Sequence, residues 1–450
     1  MSASEVAKTG EPGKSSSSWV GGALSALNGV RAQWSSPALA TLVSSAEASW
    51  KKLLFPTTKV ESWKYTNADP LASGSFSPVV SPGAVSKDDV ARFVVKDTNP
   101  LLCVLVDGVF SSELSSNESI EGVTISSIRA LSAGSQEALA AKLGSTQVHS
   151  KEPFAALATA LLQDGVVISV ARGVAAKRPI QVISLASKSA SNSVITPRLF
   201  IELGELAELS VIETHGCVGA QNYLSLPVIE SVVADSARLT LTKIALDDVT
   251  AYHVAHAVTE QGRASFTKAL VFSFGGKLVR NSADIELKGS SSEATINGLS
   301  ILGGSQHVDN TTSIHHIEPS CESRELFKGV YADESRGVFS GTIVVESEAQ
   351  KTNAFQSNQT LLLSPTASID TRPQLKIWAD DVKCTHGATI GQLDETALYY
   401  LRSRGLDLAE AKRCLVKAFT GEVVSSLNDA PLEAFVGEIV GATLEKLQSA

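Results

Sequence analysis

Residues 166 to 380 constrain the fold more than any other part of this chain. They hold short runs rich in Val, Ile, Leu and Thr, at 180–185, 199–203, 209–213, 239–244, 266–274, 283–287, 294–302, 338–345, 359–363 and 375–378. Gly, Asn, Asp and Ser separate the runs, and no helical periodicity interrupts them. So long a series of punctuated strands leaves a large sandwich, a propeller or a parallel β-helix. Dipeptides that make tight hairpins are scarce, Asn297-Gly298 being the exception, and many turns are a single Gly or polar residue. A parallel β-helix accounts for both observations, with irregular coils because no strict short repeat recurs.

Helical signals flank this region. Residues 1–35 open Ser, Gly and Lys rich and read as a disordered arm. Residues 36–165 read as a helical region with a few strands. Ser36 caps a helix with Pro37 at its first position, with Leu39, Leu42, Val43, Ala46, Trp50 and Leu53 on one face before Pro56 stops it. Trp63 and Tyr65 alternate with polar residues over 61–67, as an anchor tying this region to the body would. An apolar run at 101–106 ends in Asp107-Gly108, a strand and turn signal. Helices are expected at 136–143 and 152–162.

The β-helix is expected over 166–385 and a helical partner-binding domain over 386–450. Asp394 caps a helix at 395–403 that Gly405 ends, and Asp407 with Glu410 forms a capping box for a second. That second helix is expected to place Leu408, Ala411, Leu415, Ala418 and Phe419 on one face. A third, from about Pro431, carries Leu432, Phe435, Val436, Ile439, Val440, Leu444 and Leu447. More apolar helix than one core can cover leaves a stripe for a partner.

Composition removes several function classes. The chain is 43% hydrophobic, yet has no unbroken apolar run of the about eighteen residues a membrane span needs. Net charge is −9, from 47 acidic and 38 basic residues, without a Lys/Arg block interleaved with aromatics, so nucleic acid is not an expected partner. Glu5 and Glu11 among serines suit neither a secretory signal nor an Arg-rich transit peptide, although a plastid precursor already trimmed fits. Cys103, Cys217, Cys321, Cys384 and Cys414 are scattered, with no C-x-x-C pair, which points to free thiols in a reducing compartment. Gly275-Gly276-Lys277 is followed by Leu278 and lacks the upstream Gly of a phosphate loop, so no nucleotide site is read there. No G-x-S-x-G occurs, and no Ser or Cys adjoins a recognisable base.

Two constellations remain. At 381–392 the chain reads D-V-K-C-T-H-G-A-T-I-G-Q. On a strand Cys384 and His386 project from the same face, where sulfur and imidazole together suit a thiophilic metal. A buried thiol beside a hydrogen-bonded turn histidine is the other reading. The second constellation is His307, His315 and His316 with Glu318 and Cys321, the densest cluster of metal-ligand types. Two histidines and a carboxylate hold iron or manganese in jelly-roll enzymes, but adjacent His315 and His316 face opposite ways on a strand. His215 and Cys217 repeat the i, i+2 spacing and read as structural.

The 381–392 junction also carries a resemblance. P-Q-L-K-I-W-A-D-D-V-K-C-T-H-G-A-T-I-G-Q-L-D, over 373–394, resembles the hallmark of the SufB/SufD family of iron–sulfur cluster assembly proteins, on its SufD side. Y-Y-L-R-S-R-G at 399–405 and A-K-R-C-L-V-K-A-F at 411–419 look like that family's C-terminal helices, and E-S-W-K-Y-T-N at 61–67 like its N-terminal motif. The resemblance spans roughly residues 50–427. SufB has a cysteine in N-x-x-Q-C-D-S and His-Glu at the junction. Here the first segment reads N-A-F-Q-S-N-Q at 353–359, with Ser357 for the cysteine and Gly387 for the glutamate. Both departures point to the SufD side, and imply that this chain alone lacks the main thiolate for a cluster.

The resemblance implies a mainly β protein, a right-handed parallel β-helix flanked by N-terminal and C-terminal helical regions. It implies edge-to-edge pairing with SufB, docking of the C-terminal helices on the ATPase SufC, and a nascent iron–sulfur cluster or iron shared transiently with SufB. Carried over, the ligand is His386, with Cys384 nearby. The SufC-facing residues would be Leu393, Tyr399, Tyr400, Leu401, Leu408, Leu415 and Phe419. The chain would be a non-catalytic scaffold subunit in the bacterial cytoplasm or the plastid stroma, binding no nucleotide itself. The alternative left open is a stand-alone β-rich metalloprotein using His307, His315 and Glu318.

Overall fold

The computed structural model describes residues 18–32, 34–145 and 148–449. Its body is a parallel β-helix of two facing sheets. Successive strands alternate between the sheets, and each pairs in parallel with the strand one coil away. One sheet runs from Ser368–Ile377 through Arg336–Val345, His307–His316, Leu278–Leu287 and Tyr252–Gln261 back to Val166–Val170, with Val123–Ser127 antiparallel at its far edge. The other runs from Lys383–Gly391 through Asn353–Leu362, Glu322–Tyr331, Glu293–Leu302 and Phe266–Ser273 back to Leu101–Val106 and the two-residue strand Val109–Phe110.

Alternation of side chains across each strand builds the interior. In Asn353–Leu362, Ala354, Gln356, Asn358 and Thr360 are buried and form the inward row. Below them, apolar residues such as Ile296, Phe327, Ile314 and Phe339 fill the lumen. Six corners leading from the first sheet to the second each contain one left-handed residue, Leu206, Ser236, Ala264, Ser291, Ser320 and Lys351. None is glycine. Each donates its backbone N–H to the carbonyl of the corner one coil further on, Asp235, Arg263, Ser290, Pro319, Gln350 and Asp381 respectively. That ladder offsets the steric cost of a positive φ. It also explains why no glycine-marked repeat is visible in the sequence.

The N-terminal region differs from expectation at its start. Residues 18–35 were expected within a disordered arm, but Ser18–Ala26 and Asn28–Arg31 are helical. Trp19, Ala23, Leu27 and Val30 fall at helical spacing and are all buried, which outweighs the Ser and Gly content around them. The expected arm over 1–17 lies outside the described residues. Helices Pro37–Leu53, Ala133–Ser145 and Pro153–Ala160 follow the sequence reading closely.

The 61–67 segment joins this region to the β-helix. The fully buried Trp63 packs 5.0 Å from Phe154, and the Arg280 guanidinium lies 4.2 Å from its ring centroid. Arg280 is ion-paired with Asp309, which also accepts from the Thr66 hydroxyl. Nearer the end of the stack, Arg372 donates to the Glu61 carboxylate at 2.7 Å.

At the other flank, Leu408–Ser425 and Ala430–Ser449 lie on the outer face of the second sheet. Val416, Val423, Leu427, Leu432, Val436, Val440 and Leu444 pack there against Leu270, Phe272, Leu299, Ile301 and Val330. The buried face of the first of these helices is Ala411, Val416, Thr420 and Val423. The expected face is corrected accordingly: Leu408 and Ala418 are exposed, and Leu415 and Phe419 sit at its margin. Contact with the sheet, and not apolar content alone, set the rotation. The last strand runs to Gly391, so the β-helix extends past the expected boundary at 385.

Candidate functional site at the uncovered end of the stack

The two final strands each have a partner on one side only. Lys383–Gly391 pairs with Asn353–Leu362, and Ser368–Ile377 pairs with Arg336–Val345. Their outer backbone edges are open, a state that invites pairing with another chain. The side chains around them fit such contact. Of ten exposed large hydrophobics among the described residues, Phe355, Ile377, Trp378 and Ile390 lie on the last coils and Tyr399, Tyr400 and Leu408 just beyond.

Register determines what the end presents. Cys384 lies beside Ala354, His386 beside Gln356 and Gly387 beside Ser357. Cys384 and His386 therefore continue the inward row of the coil below, while Gly387 stands in the outward row. With no coil above, the His386 side chain is exposed, and Cys384 is half-buried against the cluster that contains Ile343, Val345 and Ala354. Burial pushes the Cys384 thiol up, opposed by a backbone hydrogen bond at Ala354, so it is a neutral thiol at pH 7. A Cβ at Gly387 would meet nothing within 4 Å, so packing within this chain does not demand glycine there.

The other metal-ligand types do not converge. His307 and His315 occupy opposite ends of strand His307–His316, about 26 Å apart at the usual rise of about 3.3 Å per residue. His307 bonds Thr66 Oγ1 at 2.9 Å, and His315 Nε2 lies 2.7 Å from Glu346. His316 faces the interior, 2.9 Å from Ser323 Oγ, and Cys321 is buried beside Ser292. Among the described residues no group of three or more His, Cys, Asp and Glu side chains is arranged to hold a metal ion. The alternative built on His307, His315 and Glu318 is corrected by this geometry.

Charged groups inside the β-helix went unread in the sequence. Glu213 and His215 are 2.8 Å apart, Asp247 and His253 2.9 Å, and the two imidazoles meet edge to face at 4.8 Å. Lys243 donates to Asn281 at 2.9 Å, and burial brings its ammonium down to about 8. Burial likewise brings His253 down to about 4. The available signal was charge inside apolar runs, as in T-L-T-K-I at 240–244.

The expected partner-facing residues divide into three groups. Tyr399, Tyr400 and Leu408 are 76%, 57% and 46% exposed. Leu401 and Leu415 are half-buried. Leu393 and Phe419 pack into the cluster between the C-terminal helices and the sheet. Beneath helix Glu395–Ser403 runs a groove of about 630 Å³, lined by Leu393, Leu398, Leu408, Val416, Leu444 and Leu447.

A stack of parallel coils with helical flanks and open strand edges at its last coil places the chain among the parallel β-helix proteins. Residues 185–419 match the SufBD core domain of the SUF system for FeS cluster assembly, and residues 26–182 the SufBD protein N-terminal region. The chain is 31% identical over 398 residues to the iron-sulfur cluster assembly SufBD family protein slr0076 of Synechocystis sp., covering 86% of each. It is 30% identical over 393 residues to the iron-sulfur cluster assembly protein SufD of Escherichia coli, covering 86% of this chain and 89% of that one. Protein ABCI7, chloroplastic, of Arabidopsis thaliana is 32% identical over 270 residues, 58% of this chain and 56% of its own length. The chain belongs to the SufB/SufD family of iron–sulfur cluster assembly proteins and is SufD-like. Among the described residues no helix is long and apolar enough to cross a membrane.

Proposed function

We propose that this chain is the SufD-type scaffold subunit of a complex with SufB and the ATPase SufC, in a bacterial cytoplasm or plastid stroma. Its non-catalytic role is to present His386 as a ligand for iron or a nascent cluster at the seam with SufB. The observation that carries the reading is the position of His386: an inward-row imidazole left exposed because the stack ends there. Pairing the open edge with a homologous edge satisfies the free backbone groups and covers Phe355, Ile377, Trp378 and Ile390. It also encloses ligands from both chains. A neutral imidazole gives iron a good nitrogen ligand that forms no thiolate bond. Cys384 beside it is the second candidate contact, and it would release its thiol proton on binding iron.

SufC docking falls to Tyr399, Tyr400 and Leu408 and to the groove beneath them. Leu393, Leu401, Leu415 and Phe419 support that surface from below, two of them through the packed cluster. Deleting everything after Gly391 is a poor test, because it would also strip the cover from Leu270, Phe272, Leu299 and Ile301. The decisive experiment is coexpression with SufB and SufC of wild type and His386→Ala, followed by cluster reconstitution and absorption spectra. Loss of cluster with the complex intact is expected; an undiminished spectrum in His386→Ala overturns the ligand assignment.

A further inference from the structure

The end of the lumen has a layered construction that the ligand reading of His386 does not by itself require. Ile296, Glu325, Gln356 and His386 stand in register on four successive strands of one sheet. Ala283, Thr312, Gly341 and Pro373 stand in register on the other. Ile296 is fully buried and forms an apolar floor. Above it rise three polar side chains in a column, two sealed inside and the third at the open lip. Gly341 makes room for this: a Cβ there would collide with the amide of Gln356, which reaches across the lumen.

The column has a defined polarity. Gln356 Nε2 donates to Glu325 Oε2. With its NH₂ turned down toward the carboxylate, the amide carries its oxygen on the opposite side. Gln356 is completely buried, and its Oε1 has no hydrogen-bond partner. A buried carbonyl without a donor costs about 1–3 kcal/mol, so a donor brought to it is favoured. The in-register neighbour above is His386, and an imidazole in its neutral form carries one N–H and one ring-nitrogen lone pair.

We propose that Gln356 is a positioning residue for His386: its Oε1 accepts the N–H of one imidazole nitrogen and so holds the lone pair of the other outward, toward the seam. Glu325 acts one step further in, by fixing which way the Gln356 amide points. The arrangement is a carboxylate–histidine pair with an amide interposed, and such outer partners set ring orientation and tautomer at metal sites. A direct carboxylate would bring charge to the lip; the amide orients without charge. The proposal rests on His386 being the ligand, and its test separates the two ideas.

The test uses the full chain labelled with ¹⁵N-histidine at about pH 8.5, where Glu325 is ionised, with the His386 ring signals assigned by their loss in His386→Gln. Wild type is expected to show one tautomer of His386 dominant in long-range ¹H–¹⁵N spectra. In Gln356→Leu the ratio should move toward that of free imidazole. Glu325→Gln, equal in size to the native side chain, should do the same if Gln356→Leu fails to fold, because two facing amides no longer dictate one orientation. In the assembled complex the same variants should weaken iron binding about tenfold with His386 still present. An unchanged tautomer ratio in a folded Gln356→Leu or Glu325→Gln chain overturns the positioning role, whatever His386→Ala does. Normal cluster assembly in His386→Ala overturns the ligand reading, whatever the tautomer ratio shows.

Discussion

Lys328 Nζ donates to the backbone carbonyl of Phe419 at 2.9 Å and lies 4.6 Å from the centroid of its ring. Lys328 stands on the outer face of a core strand and is only 6% exposed, so one side chain from the β-helix holds the middle of a C-terminal helix. Glu422, 2.6 Å from the same ammonium, adds an ion pair.

Lys328→Ala should loosen that helix without disturbing the stack. The loss of a charged hydrogen bond and a cation–π contact amounts to about 2–3 kcal/mol. Hydrogen exchange should rise across Leu408–Ser425 and stay unchanged in the lumen-facing strands. Equal acceleration in both would show that the helix and the stack open together.

Trp63 is the corresponding anchor at the N-terminal flank. Trp63→Ala removes the ring between Phe154 and Arg280 and should cost about 3–5 kcal/mol. Thermal melting is expected to fall, and limited proteolysis should cut first among residues 34–145. A melting temperature equal to wild type would mean that Thr66 and Arg372 hold the flank without it.

His386→Ala should cost no more than the single hydrogen bond to Gln356, about 0.5–1.5 kcal/mol, because the ring is otherwise exposed. Urea unfolding of the isolated chain checks this. A large destabilisation would mark His386 as a structural residue of the lip.

Glu325 gives stability a pH dependence of predictable sign. Burial raises its carboxyl from an ordinary value near 4.5 to about 7, with the Gln356 amide and the Thr312 hydroxyl acting the other way. Between those values the folded chain holds a proton that the unfolded chain has released. Its contribution is therefore most favourable below 4.5, falls as pH rises to about 7, and is constant above. Glu325→Gln escapes this cost. Its advantage over wild type should be absent near pH 4.5 and reach up to about 3 kcal/mol at pH 8, measured by urea unfolding across that range. A difference independent of pH would show that Glu325 titrates normally.

Lys243 and His253 act at other pH values. Burial lowers both, to about 8 and about 4. Each contributes more stability as pH rises through the interval between its folded and its ordinary value, for His253 between about 4 and 6.5. Lys243→Met should flatten the rise expected between about 8 and 10.5. A wild-type stability that does not rise over that interval would leave Lys243 fully charged in the folded state.

Much of the architecture was legible because parallel coils bury short apolar runs and the helices carry their own caps. Ser36, Asp394 and Asp407 all cap as read. The helix at Ser18–Ala26 was masked by the serines and glycines around Trp19. In the site, the i, i+2 pair Cys384 and His386 was visible because both lie on one strand. The column beneath was not. Ile296, Glu325, Gln356 and His386 are 29, 31 and 30 residues apart, and no local pattern announces that they stack. The rotation of helix Leu408–Ser425 was lost for a similar reason, since it depends on Lys328 and a sheet surface far away in sequence.

The shortest covalent path in this region runs between the strand that carries His386 and the helix that carries Tyr399 and Tyr400. The strand ends at Gly391, Asp394 already caps the helix, and Leu393 between them is wedged into the packed cluster. Little slack exists to absorb a displacement. A displacement of the tyrosines would therefore be shared between the lip of the stack and, through Leu393, the cluster that covers the second sheet.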